Sequence, residues 1–285
     1  MPCKSIRIIA LLAYALTAAC VMETQAEADL TVISIANEGF LIDSGSAQVL
    51  VDAVFTESWG KYTVPGPEVL GAMRRAEGIF GEVDVFLVTH NHADHFHPGY
   101  VLEFMRNNKK AVLLAPGDAV DMLAALGGFS EIEPRVTALT PAWGQAVTET
   151  VAGITVTAFR LKHSDDEARE IQHLGFIWDA DDKVFFHAGD AALDDVNEYG
   201  SFFDQAGIDI AFVPWWLLDY WSRGQTLVER VRPGAMYFMH AAVTSYVATK
   251  TKIASHAASL PPSYVPGPAM ETWRFHATSN GWEAY

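Results

Sequence analysis

Apolar runs of strand length alternate with stretches of helical spacing from Thr31 to His240. "TVISIA" (31–36) and "GFLIDSGSAQVLVDAVF" (39–55) come first, the second reading as a hairpin that turns at Ser44-Gly45-Ser46. "PEVLGAMRRAEGIF" (67–80) has helical period, and "VDVFLVTH" (83–90) reads as a buried strand. "HPGYVLEFMRNN" (97–108) starts a helix at Pro98, whose missing N–H costs nothing in a first turn. "AVLLAP" (111–116) is a further strand, and "DAVDMLAALGG" (118–128) a helix stopped by Gly127-Gly128. "GITVTAFRLKH", "HLGFIWDADDKVFFHAGD", "IDIAFVPWW", a helix near "TLVERVRP" and "AMYFMH" complete the series. Hairpins mixed with single crossover strands and helices predict mixed sheets covered by helices. Gly39–Asp52 and Gly175–Asp190 echo each other: Gly-Phe, an apolar strand, a turn after an Asp, a second strand and a terminal Asp. The echo fits a fold of two similar halves. No Pro/Gly/Ser-rich linker interrupts residues 29–285, which are expected to form a single domain.

The first 28 residues follow another pattern. Lys4 and Arg7 precede an apolar stretch from Ile8 to Cys20, and Ala26-Glu27-Ala28 offers a small-x-small cleavage site. That is the layout of a secretory leader, so the mature chain is expected in the periplasm or outside the cell. The apolar stretch falls short of the ~20 residues a spanning helix needs, so no stable membrane insertion is expected after cleavage. A lipid anchor at Cys20 would want Leu three residues earlier, where Thr17 stands. Cys3 and Cys20 are the only two cysteines, so the mature chain has no disulfide and no thiolate ligand to offer. The net charge of −16 repels phosphate backbones, and no basic run exceeds Arg74-Arg75 or Lys109-Lys110. The charge disfavours a nucleic-acid partner, and none is expected; acidity alone names no other partner, and a small-molecule substrate is expected.

Against this background "THNHADHFHP" (89–98) stands out, with four of the chain's ten histidines at the end of a buried strand. In an extended segment residues i and i+2 face the same way, so His90 and His92 can address one metal ion. Asp94 and His95 follow where the chain turns toward Pro98 and can address a second ion. His163, Asp190 and His240 each lie at or just past the C-terminal end of an apolar run, the edge where α/β architectures gather functional side chains. Imidazole and carboxylate donors suit zinc, and also iron or manganese.

With these residues in place the chain resembles the metallo-β-lactamase superfamily of hydrolases. The signature positions occur in order: Asp52, His90-x-His92-x-Asp94-His95, His163, Asp190 and His240. The resemblance implies a four-layer αββα sandwich of two mixed β-sheets flanked by helices. It implies two divalent metal ions, Zn2+ first, with His90, His92 and His163 on one, Asp94, His95 and His240 on the other, and Asp190 bridging. Asp52 would bond a ligand or the loop that carries it. The reaction implied is attack by a hydroxide held between the two ions on an ester, lactone, amide or phosphodiester, with Asp94 as a proton relay. True β-lactamases lack the bridging Asp, and one class uses a Cys ligand, so antibiotic hydrolysis fits less well. Glyoxalase II enzymes add a helical domain, whereas 45 residues follow His240 here. The hairpin between His163 and Asp190 looks more like the branch of ascorbate-phosphate lactonase and phospholipase D-type enzymes. A secreted β-lactamase-type enzyme and a non-catalytic metal- or ligand-binding protein remain the alternatives.

His97, His173, His187, His256 and His276 belong to no signature; His187 is expected to be buried and hydrogen-bonded. "PWWLLDYW" (Pro214–Trp221) is a candidate pocket wall, and "TESWGKYTVPGP" and "SDDEAREIQ" are candidate rim loops. Leader processing makes a direct prediction: N-terminal sequencing of exported protein should begin within Glu27–Leu30, and recovery of intact Met1 from the periplasm would contradict it.

Overall fold

The computed structural model describes residues 30–165, 169–192, 196–204, 206–267, 269–278 and 281–285. The expected leader and Cys20 lie outside these residues. Two sheets are formed. The first contains β1 (Leu30–Ala36), β2 (Gly39–Asp43), β3 (Gln48–Val51), β4 (Val85–Leu87), β5 (Val112–Pro116) and β6 (Val136–Leu139). The second contains β7 (Ala146–Val151), β8 (Ile154–Arg160), β9 (Leu174–Ala180), β10 (Lys183–His187), β11 (Ile210–Pro214), β12 (Ala235–Met239) and β13 (Ser263–Tyr264). The chain then returns to the first sheet as β14 (Glu271–Thr278) and β15 (Gly281–Ala284), giving the orders β15-β14-β1-β2-β3-β4-β5-β6 and β13-β12-β11-β10-β9-β8-β7.

The central strands read as unbroken apolar runs because both of their faces are covered. In β4, Val85 and Leu87 face the second sheet while Phe86 faces the helices. In β12, Ala235, Tyr237 and Met239 face inward while Met236 and Phe238 face outward. The inner layer is aromatic at its centre: the Phe212 ring stands 4.6 Å from Phe40 and 5.2 Å from Tyr237. On the outer face of the first sheet lie α1 (Pro67–Arg75), α2 (Pro98–Asn107) and α3 (Gly117–Ala124). The outer face of the second is covered by α4 (Val196–Phe203), α5 (Trp221–Val231) and α6 (Tyr246–His256). These are the four layers of the αββα sandwich.

Both echoed segments are hairpins. β2 and β3 pair antiparallel, as do β9 and β10, and each hairpin is followed by parallel strands, β3–β4–β5–β6 and β10–β11–β12. Some details depart from the pattern along the chain. The helical period through Phe80 is broken at Ala76, which takes φ 52° and turns its N–H back to Met73. Gly78, at φ 60°, then leads into a separate 3-10 turn over Gly78–Glu82. The tail after His240 is less irregular than its prolines suggest, because β14 pairs antiparallel with β1 from Leu30↔Phe275 to Ser34↔Glu271.

The β1–β2 turn is pressed against the segment that follows β3. A Cβ on Gly39 would stand 2.8 Å from Ala53 Cα and 2.9 Å from the Asp52 carbonyl oxygen. Both obstacles are backbone and cannot rotate away. Gly39→Ala should therefore lower the unfolding free energy by about 1–3 kcal/mol, the scale of an overpacked core. The denaturant midpoint measures this, and an unchanged midpoint would show that the turn can yield.

Candidate metal centre

All the signature residues meet at one edge of the sandwich. Asp52 follows β3, the His90–His95 segment follows β4, His163 follows β8, Asp190 follows β10 and His240 follows β12. Four of these five strands belong to the parallel parts of the two sheets, so their C-terminal ends face one another across the inner layer. Asp52 at φ 41° and His240 at φ 59° sit in the left-handed region, which turns each chain sharply at the strand end.

Two triads form. Ligand atoms of His90, His92 and His163 lie within 4.8 Å of one another, and so do those of Asp94, His95 and His240. Asp190 spans the two: Oδ2 is 3.4 Å from His163 Nε2 and 3.1 Å from His240 Nε2, and Oδ1 is 3.4 Å from His95 Nε2. Asp94 Oδ2 lies 3.4 Å from His240 Nε2, and its Oδ1 3.7 Å from His95 Nε2. Asn37 Nδ2 holds Asp94 by donating to Oδ2 at 3.3 Å.

The chemistry of these atoms can be tested against a cation. His90 Nε2, His95 Nε2, His163 Nε2, both ring nitrogens of His240, Asp94 Oδ1 and Asp190 Oδ1 are buried without a hydrogen-bond partner. Burying so many polar atoms unpaired is costly unless something else satisfies them. Zinc bonds of about 2.0–2.2 Å in a tetrahedron put neighbouring ligand atoms about 3.3–3.6 Å apart. The contacts of 3.1–3.7 Å across Asp190 and Asp94 fall around that spacing. The donors fit a metal.

Behind the triads, hydrogen bonds fix which nitrogen faces inward. Asp52 Oδ1 accepts the Thr89 N–H at 2.8 Å, and Oδ2 accepts the Thr89 hydroxyl at 2.5 Å and His95 Nδ1 at 3.0 Å. A carboxylate can only accept, so His95 carries a proton on Nδ1 and turns Nε2 toward the centre. With its own proton given to Asp52, Thr89 Oγ1 accepts from His90 Nδ1 at 2.9 Å, freeing His90 Nε2. His163 is different: its Nδ1 receives the Asp165 N–H at 3.1 Å. A cation on its Nε2 would move the ring proton to Nδ1, and that amide would then have to turn away.

The two triads differ in charge. Burial, followed by the neighbouring histidines, holds His90 well below the usual imidazole range, and burial and His163 lower His92. Both are neutral and ready to donate a lone pair. Burial opposes charge on His240 and His95 too, yet Asp190 and its fellow carboxylates overcome it. His240 is lifted to about 10 and His95 well above its ordinary value. Burial works against the Asp190 carboxylate as well, but His240, His95 and His163 hold it well below the usual range. Without a cation, the second triad is thus held together by protons that a metal must displace.

The site opens into a cavity of about 340 Å³ lined by Trp59, Lys61, Tyr62 and Asp165 together with the ligand-type residues. The loop after Asp52 therefore supplies the rim, as does Asp165 from the loop after His163; residues 166–168 of that loop lie outside the described residues. Of Pro214–Trp221 only Trp216 reaches the centre, its ring 5.4 Å from that of His240 and its Nε1 donating to the Ala191 carbonyl at 3.1 Å. Trp215 and Trp221 face Lys252 and His256 instead. His187 is buried, donating through Nε2 to the Glu38 carbonyl at 3.2 Å and accepting at Nδ1 from Gly189 N–H at 3.2 Å. A larger hollow of about 500 Å³ beside α4, lined by Thr155, Thr157, Asp179 and Asp204 among others, brings no three ligand-type side chains together among the described residues.

Sequence reasoning missed Thr89, Asn37 and Glu38. Thr89 carries a signal, standing directly before the first histidine; Asn37 and Glu38 carry none, because they arrive from a turn more than fifty residues away in the chain.

With this geometry the family can be tested directly. The family model for the beta-lactamase superfamily domain matches residues 47–254. The chain belongs to that family. A UPF0173 metal-dependent hydrolase of Staphylococcus carnosus is 27% identical over 168 residues, 56% of this chain and 68% of the relative. Among solved structures, Igni18, a metallo hydrolase of the archaeon Ignicoccus hospitalis, has TM-score 0.59 at 17% identity, covering 88% of this chain and all of that one. CmlA, a diiron β-hydroxylase from Streptomyces venezuelae, has TM-score 0.58 at 15% identity, covering 87% of this chain and 54% of that one. These two likenesses establish the shared fold. With the family and its relatives, the chain is a metal-dependent hydrolase of the metallo-β-lactamase superfamily.

Asp52→Asn tests the network behind the triads. An amide in place of one oxygen removes an acceptor from Thr89 or His95 and lets the ring protons move to the inward nitrogens. Metal affinity should fall about ten- to hundredfold while the protein stays folded, as is usual for partners of ligating histidines. Competition against a chelator measures it. Unchanged affinity would remove Asp52 from any role at the centre.

Proposed function

We propose that this hydrolase cleaves an ester, lactone, amide or phosphodiester of a small molecule at a pair of divalent cations, zinc by preference. The observation that carries the reading is Asp190, whose two oxygens reach His163 of one triad and His95 and His240 of the other. One carboxylate placed between two donor sets is suited to hold two cations at close range. When bound, such a pair supplies a nucleophilic hydroxide near neutral pH and polarises the bond under attack. His90, His92 and His163 would hold one cation, Asp94, His95 and His240 the other. Donors of this kind accept iron and manganese as well as zinc.

The chain's own residues have separable tasks. Asp52 and Thr89 keep His90 and His95 in the tautomer that presents Nε2. Asp94 faces the cavity with Oδ1 unpaired, the position from which it would take up a proton, although a carboxylate that also ligates is a weak base. The Tyr62 ring lies 4.1 Å from that of His240, and burial with the nearby carboxylates lifts its hydroxyl to about 12. Tyr62 stays protonated at neutral pH and can donate to an oxygen of the substrate. Trp59 offers an apolar surface and Lys61 a cation at the rim. With the leader-like N-terminus, the enzyme would work outside the cytoplasm.

A screen of metal-loaded protein against lactones, phosphodiesters, thioesters and β-lactams, each with a chelated control, tests the reading. Turnover should appear in one class and vanish on chelation. Asp190→Asn keeps the shape but loses the bridging charge, and should cost at least ~10²-fold in rate. Full turnover by Asp190→Asn, or no difference after chelation, would reject the two-cation reaction.

A further inference from the structure

Glu38 lies in the turn between β1 and β2 and is completely buried. Neither of its carboxylate oxygens has a hydrogen-bond partner, and among the described residues it is the one acid with both oxygens buried in that state. By comparison, the equally buried Asp52 accepts three hydrogen bonds. The Glu38 side chain is directed at the candidate metal centre. Oε2 lies 3.8 Å from His95 Nδ1, on the side of the ring where Asp52 also stands. A Glu38 oxygen lies within 4.8 Å of ligand atoms of His95 and Asp190, and within 4.8 Å of Asp52 and His187.

The position is over-determined. Asn37, one residue earlier, donates to Asp94; the Glu38 carbonyl accepts from His187; and Gly39, one residue later, is packed on the backbone of Asp52 and Ala53. The turn cannot swing the carboxylate away from the centre without breaking these contacts. A buried acid with no donor is a liability to the fold. The groups around it are His95, His187, Asp52 and Asp190, and no lysine or arginine pairs with it. The positive charge within reach comes from the imidazoles of His95 and His240, and a cation held by the second triad would take its place.

We propose that Glu38 is a positioning residue for that second cation: an outer carboxylate which, with Asp52, counters the cation's charge from behind His95. The proposal rests on the two-cation reading above. It also explains why an unpaired acid is kept here: its cost falls on the metal-free fold, and its benefit comes only when the centre is loaded.

Two variants separate charge from packing. Glu38→Gln keeps the shape and removes the charge, whereas Glu38→Asp keeps the charge and withdraws it by one methylene. Co2+ titration of the metal-free protein against a competing chelator, followed by visible absorption, reads each ion without any turnover. Glu38→Gln should weaken the second ion by about ten- to hundredfold and leave the first as in the wild type. Glu38→Asp should hold the second ion more tightly than Glu38→Gln does, and metal-free Glu38→Gln should melt no lower than the wild type. If Glu38→Gln binds both ions like the wild type, if Glu38→Asp is the more impaired of the two, or if metal-free Glu38→Gln no longer melts cooperatively, Glu38 serves packing and the proposal is overturned. A wild-type chain that takes up a single ion overturns the two-cation reading itself, and is recognised before any variant is compared.

Discussion

Ligand-type atoms of His90, His95, His163, His240, Asp94 and Asp190 converge on one buried spot, and few of them find a well-formed hydrogen bond there. Water is largely kept away from them, and the hydrogen bonds that would normally offset their burial are mostly absent. Proteins retain such an arrangement only where something outside the chain completes it. The surrounding structure keeps these atoms from collapsing onto one another. Asp52 and Thr89 tie down the outer nitrogens of His90 and His95, Asn37 holds Asp94, and the sheets set the distance between the two halves. The geometry of the centre is thus set by the fold, and what a cation would complete is its charge.

The fold provides this edge through a simple repetition. Each half begins with an antiparallel hairpin and continues into parallel strands, so each brings one aspartate, Asp52 or Asp190, to the same edge. The halves use their aspartates differently. Asp52 is turned back to accept from Thr89 and His95, while Asp190 points between the triads. Gly189, at φ 54°, has no room for a Cβ, which would lie 2.5 Å from His173 Nε2 and 3.0 Å from Thr89. That close packing is what lets the loop before Asp190 reach the centre.

Much of this was legible along the chain because it depends on local periodicity. H-x-H-x-D-H after an apolar run places its donors by strand alternation alone, and His163, Asp190 and His240 could be read as strand-end residues. Fully buried central strands gave strong signals, since both faces are apolar. The edges were harder. β7 alternates between exposed and half-buried positions and β14 is nearly as mixed, so neither contrasts with loop sequence. The pairing of β14 with β1 joins the two ends of the described chain and has no local signature. Aromatic content was misleading in Pro214–Trp221, where one ring of the three tryptophans faces the centre. Glu38 could not be found from sequence, because what marks it is the absence of a partner in three dimensions.

The central expectation for the molecule is a pair of cations, one on either side of Asp190. Anomalous diffraction from crystals grown with saturating zinc addresses this directly, since each ion appears as its own peak. Two peaks are expected about 3.5–4 Å apart, the spacing of paired-metal hydrolytic centres. One should lie against His90, His92 and His163 and the other against Asp94, His95 and His240, with a carboxylate oxygen of Asp190 on each. A single peak on the first triad, with His95 and His240 still paired to Asp190, would contradict it.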